Sequence, residues 1–257
     1  MAYSDNNQDE FNSRAGAYTV IINSFAEKEK NLKEQITGEI LPVGRGTLLL
    51  CDQALNRASV LLAINRLSVT LLKARNLRRL EDARKILSGV LTSLESVVTS
   101  WIDMSYTDNL EALKKIADVP VEKRLLLIQK FGLAMSLLDD EIADDSKQRW
   151  TMVDMEGRFA VVAKNILDMR TALQIFLNME GGDYPAVAAF FTIIKRQLHR
   201  AVDLYRTRYN VLGRTADDDF RCAISCLAVL IRICGWTKDL RDVEEMRKKL
   251  MLWESQR

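Results

Sequence analysis

Apolar side chains recur at intervals of three and four along nearly the whole chain, and no stretch shows the Val/Ile/Thr alternation of a half-buried strand. This periodicity constrains the fold more than anything else in the sequence, because a repeat of 3.6 residues does not fit a pleated surface of period two. Only three prolines and eleven glycines interrupt it over 257 residues. The expected fold is all-α: a helical bundle or helical array of about seven to nine antiparallel helices. Residues 1–8 are expected as a flexible polar tail and 9–257 as a single all-α domain, long enough to bury a sizeable core.

The breaks are read from turn chemistry. A first helix covers roughly 9–37 and ends at "GEILPVGRGT", where Pro42, Gly44 and Gly46 punctuate the chain. Thr47 is the expected N-cap of a second helix, about 48–75, whose leucines cover so much of its circumference that it should be the central one. Helices are expected over about 78–103, then from a cap at Thr107–Asn109 to just before Pro120, then over 121–142 and 146–179. "EGGDYP" stops the last of these, and a helix over 185–211 ends at Gly213, a residue suited to a left-handed C-terminal position. Thr215 with Asp218 suggests a capping box for a helix through Ile233, and an amphipathic helix closes the chain near Trp253.

Charge and cysteine content narrow the function classes. With 37 basic and 35 acidic side chains the net charge is +2, too small to argue nucleic acid or membrane from bulk electrostatics. Cys51, Cys222, Cys226 and Cys234 do not form a disulfide framework for a chain of this length and are expected as structural thiols in a reducing compartment. The N-terminus is polar and acidic, unlike a secretory signal, and the purest apolar run, "CAISCLAVLI", is too short to span a bilayer. A cytoplasmic protein without a transmembrane segment is expected. His199 is the sole histidine and has basic neighbours at helical spacing, which gives a nucleophilic site little to work with. "PVGRGT" has glycines ahead of a helix but lacks the lysine and the preceding strand of a phosphate loop.

Asp139, Asp140, Glu141, Asp144 and Asp145 place five carboxylates in seven positions. On a helix, Asp140 stacks with Asp144 and Glu141 with Asp145, and a divalent cation would relieve their repulsion. "DEIAD" (140–144) resembles the aspartate-rich motif of isoprenoid diphosphate synthases and terpene synthases, which are all-helical. The resemblance covers five residues and implies a Mg²⁺-dependent reaction on a diphosphate. Such an enzyme needs a second motif, and "TADDDF" (215–220) matches neither form of it; acidic residues in a first helical turn explain that stretch directly. The plainer readings of 139–145 are a solvated or capping joint, or an acidic docking patch. If the helix runs through to Ile142, the carboxylates stand at its negative end, and Lys147 and Arg149 must offset them.

Two helix faces suggest partners. Lys195, Arg196, Arg200, Arg206 and Arg208, interleaved with Tyr205 and Tyr209, could meet phosphates and stack bases, or they could pair with acids on neighbouring helices. A second basic set is Arg75, Arg78, Arg79, Arg84 and Lys85. In the last helix Val243, Met246, Leu250 and Trp253 form a narrow apolar stripe, the pattern of a helix docked by one edge or reaching into a partner's groove. The reading that results is a non-catalytic scaffold or adaptor, without cofactor or metal, that binds another protein or itself. The alternatives are nucleic-acid binding through 193–214 and the Mg²⁺-dependent enzyme.

Overall fold

Each of the three prolines stands at the start of a helix, where a missing amide costs no hydrogen bond. The structure, a computed structural model, describes residues 2–98, 106–142, 146–167, 169–179 and 184–255. The helices are α1 (Ala2–Thr37), α2 (Val43–Leu72), α3 (Leu77–Val97), α4 (Tyr106–Leu113), α5 (Val121–Ile142), α6 (Ser146–Asn165), α7 (Met169–Asn178), α8 (Tyr184–Leu212), α9 (Asp217–Trp236) and α10 (Leu240–Glu254), with short 3₁₀ turns at 114–116 and 213–216. No strand occurs among the described residues, so the fold is the all-α array that the periodicity requires.

The chain divides into two compact units, residues 1–97 with 126–149, and residues 98–125 with 150–257. In the first, α2 packs against α1 and α3, and α5 supplies Ile128, Phe131, Met135 and Leu138 to a core that also holds Leu55, Leu87, Leu91 and Leu94. Lys130 on α5 reaches Asp52 and Asn56 on α2, at 2.5 and 3.2 Å. The α2–α3 turn is held by side chains: Asn65, fully buried, accepts from the Asn76 amide at 2.7 Å, and Asn76 caps α3 by accepting from the Arg79 amide. By length and composition α2 could cross a membrane, yet its buried positions from Leu48 to Ser68 are those of a core helix.

In the second unit, α8, α9 and α10 form a sheaf joined by Phe190, Ile194, Leu198, Leu227, Leu230 and Met246, all buried. Gly157 on α6 faces the ring of Tyr205 on α8, and no room remains there for a Cβ. Gly213 takes φ +62°, the left-handed conformation expected after α8.

Several boundaries differ from the sequence expectation for identifiable reasons. Helix α1 already includes residues 2–8. Helix α2 starts at Val43, because Pro42 presets the entry, and Thr47 lies inside it with its hydroxyl donating to the Val43 carbonyl. Gly44 and Gly46 are therefore buried helical residues; a Cβ on Gly46 would lie 2.5 Å from Ile36 Cγ1, so glycine permits the close α1–α2 approach. Thr215 does not cap α9 either: its hydroxyl donates to the Leu212 carbonyl, and no side chain caps the helix. The expected helix over 146–179 is interrupted between α6 and α7 without glycine or proline. The interruption is held from a distance by buried Arg124, whose Nε donates to the Val119 carbonyl and whose Nη1 donates to that of Ile166. The end of the expected 78–103 helix and the "EGGD" stop lie outside the described residues.

Candidate functional site

The carboxylates of the acidic stretch stand at the C-terminal end of α5, the less favourable of the two arrangements. Asp140 is exposed, Asp139 is half-buried, and Glu141 faces Arg75 at 3.9 Å. Part of the compensation thus comes from the start of α3's segment. Asp144 and Asp145, and the side chains of Lys147 and Arg149, lie outside the described residues. Among the described residues no three carboxylates, thiols or imidazoles come together as metal ligands.

The basic face of α8 is largely engaged within the second unit. Lys195 pairs with Asp239 at 3.2 Å and Arg200 with buried Glu156 at 3.1 Å. Arg208 is held at once by Asp154, which accepts from Nη2 at 2.7 Å, and by Asp219, whose two oxygens accept from Nε and Nη2 along one guanidinium edge. Those charge-assisted bonds raise the Arg208 pKa and keep it cationic. Arg206 lies over three rings, Tyr209, Phe220 and Trp253, at 5.3, 5.2 and 4.9 Å from their centroids, and so ties α8, α9 and α10 together by cation–π contact. Arg196 is exposed, and His199 is half-buried beside it. In the other basic set, Arg84 grips Glu81 through two bonds of 2.8 Å, Arg79 lies 3.9 Å from Asp82, and Arg78 is exposed.

Of the α10 stripe, Val243, Met246 and Trp253 are buried and Leu250 is half-buried, so this helix is docked by one edge within its own chain. The large apolar residues that stay exposed on it are Leu240, Met251 and Leu252.

Sequence reasoning passed over the site with the most unusual chemistry. Glu29 and Lys33 on α1, Arg57 on α2 and Lys85 on α3 converge on a cleft of about 320 Å³, with Cys51, Ala54, Ile86, Gly89 and Ser93 among its walls. Glu29 is only 7% exposed. Burial raises its pKa, and the charges of Arg57 and Lys33 pull it back in part. Arg57 Nε lies 2.9 Å from Glu29 Oε1, but the angles do not make a hydrogen bond, and neither atom has a hydrogen-bond partner in the protein. The Oε1 of Gln53, one turn earlier on α2, is likewise unpartnered. A signal existed: Phe25, Glu29, Leu32 and Ile36 share one helical stripe, which puts Glu29 on the packed face despite its place in a charged run.

The family model of the TP0443 family matches residues 7–256. The chain belongs to the TP0443 family. No curated protein and no solved structure matches it. For this TP0443 family member, chemistry must therefore be argued from the side chains themselves, and the thiols give a direct check. None of the four cysteines forms a disulfide; Cys51, Cys226 and Cys234 are buried and Cys222 is exposed. Burial pushes the Cys51 thiol up to about 12 and Cys234 to about 11. Burial, then Asp219 and Asp218, raise that of Cys222 as well. A thiol-reactive dye should label Cys222 alone in the native protein, slowly at neutral pH and about tenfold faster per pH unit on the alkaline side, because only the thiolate reacts. Rapid labelling of a second cysteine before unfolding would contradict the packing described.

Proposed function

We propose that this chain is a non-catalytic helical scaffold or adaptor of the cytoplasm that acts by binding another protein or a second copy of itself. The observation that carries the reading is an apolar end on the α8–α10 sheaf. The contacts Lys195–Asp239, Asp203–Lys249 and Arg206–Trp253 advance together along the two helices, so α8 and α10 run parallel and finish side by side. At that shared end Val211 and Leu212 are 64% and 44% exposed, and Met251 and Leu252 are 72% and 56% exposed. Large apolar side chains left exposed toward the ends of two parallel helices are suited to a contact surface. The ion pairs and cation–π stack around Arg206 and Arg208 support the same reading, since they assign the basic residues to holding helices rather than to a reaction. Four cysteines without a disulfide fit a reducing compartment.

Light scattering on the full chain, with and without Val211→Asp and Met251→Asp together, tests the proposal. The expected result is a particle heavier than 29.3 kDa, or a stoichiometric protein partner recovered from the native cell, that is lost in the double variant. A 29.3 kDa particle whose captured proteins are unchanged by the double variant would overturn it.

A further inference from the structure

We propose that the cleft between α1, α2 and α3 is a binding site for a small, doubly charged organic anion that also carries a hydroxyl or amino donor. Three helix faces build it. Glu29 and Lys33 are one turn apart on α1; Leu50, Ala54 and Arg57 follow one stripe of α2; Lys85, Gly89 and Ser93 follow one stripe of α3. The cleft exists because the central residues of these stripes are small. At Gly89 a Cβ would meet nothing within 4 Å, so the wall is open there where any other residue would begin to fill it.

The lining carries three cations and one carboxylate. Arg57 answers Glu29 most closely and Lys33 acts on it more weakly, so the exposed ammonium groups of Lys33 and Lys85 still carry net positive charge to a ligand. Lys85 also lies 3.6 Å from Glu81, but that carboxylate is already held at both oxygens by Arg84, so the lysine is its looser partner. Two ammonium groups at the rim match a charge of −2, as on a phosphate monoester or a dicarboxylate. Deeper in, Oε1 of buried Glu29 is charge-paired with Arg57 but accepts no aligned hydrogen bond, and a hydroxyl or amino group of the ligand would supply one. The volume of about 320 Å³ suits a small metabolite rather than a polymer. The inference concerns the first unit alone and is independent of the role proposed for the α8–α10 end.

Calorimetric titration of the full chain with glycerol 3-phosphate, with malate and with methyl phosphate tests it. The expected result is saturable one-to-one binding of glycerol 3-phosphate or malate, the better of the two naming the anion class. Methyl phosphate, which has the charge but no donor, should bind at least tenfold more weakly than glycerol 3-phosphate if the phosphate is the class. Lys33→Ala with Lys85→Ala should weaken binding tenfold or more. Gly89→Leu should do the same without removing charge; leucine favours the helix and the position is open, so the fold is preserved, as a thermal melt would verify. Absence of saturable binding by either dianion overturns the proposal. So does binding that survives Gly89→Leu, since the ligand would then sit elsewhere. Equal affinity for methyl phosphate and glycerol 3-phosphate would remove Glu29 from the site.

Discussion

Gly157→Ala should destabilise the protein by about 3 kcal/mol or more, at the upper end of what overpacking a core usually costs. The added Cβ would lie 2.5 Å from Tyr205 Cε2 and closer still to Cζ and Oη. A long flexible side chain could swing away from such an intrusion, but a phenol ring cannot bend. Tyr205 is buried, and burial raises its pKa, so the hydroxyl is already poorly solvated and has nowhere better to go. Relief would require α6 and α8 to part, which gives up contacts of Phe159 and Leu198 as well. Urea unfolding followed by circular dichroism measures the loss. Tyr205→Leu in the same chain should restore a substantial part of it by vacating the space, a coupling that a double-mutant cycle reads directly. A Gly157→Ala variant within about 1 kcal/mol of the parent would show that the two helices do not approach as described.

Arg208→Ala should cost about 3–5 kcal/mol, because it removes the counter-charge from a buried carboxylate. The Arg208 and Asp219 side chains are only 13% and 10% exposed, so solvent does little to screen what is left behind. Asp154 is 59% exposed and contributes little to that figure. Lysine should not rescue the position, since the bidentate grip on Asp219 needs a planar fork. Arg208→Met combined with Asp219→Leu should recover most of the stability, for then no charge is stranded. The same variants separate two roles for α8. A structural arginine loses stability when changed; an arginine serving nucleic acid would instead lose retention on a polyanion column, with a shallower salt dependence and an unchanged melt. Stable Arg208→Ala protein with weakened polyanion binding would favour the nucleic-acid reading.

Glu29 and Arg208 mark where the sequence stops being transparent. The helices were legible because their signals are local: α5 spans the expected 121–142, the left-handed Gly213 is where a C-terminal glycine belongs, and Pro120 and Pro185 sit at the predicted starts. Both buried charges, by contrast, occupy apolar stripes. Glu29 follows Phe25 by four, and Arg208 follows Tyr205 by three. Composition assigns each to a solvated run, whereas register assigns each to the interior, and register is the better guide once a helix is established. The cleft was not legible at all, since it depends on which small residues of three helices come to face one another. Nor was the α6–α7 interruption, where the Ile166 carbonyl accepts from Arg124 at a separation of 42 residues.

That guanidinium has a kinetic corollary. The α8–α10 sheaf can zip through contacts between consecutive helices, whereas the terminus of α6 is completed only when a loop of some forty residues has closed on it. A peptide covering 146–167 should therefore fray at its C-terminal turn in isolation. In the intact chain that turn belongs among the late events of assembly and the early events of opening, and its amides should exchange with solvent ahead of those in the middle of α9.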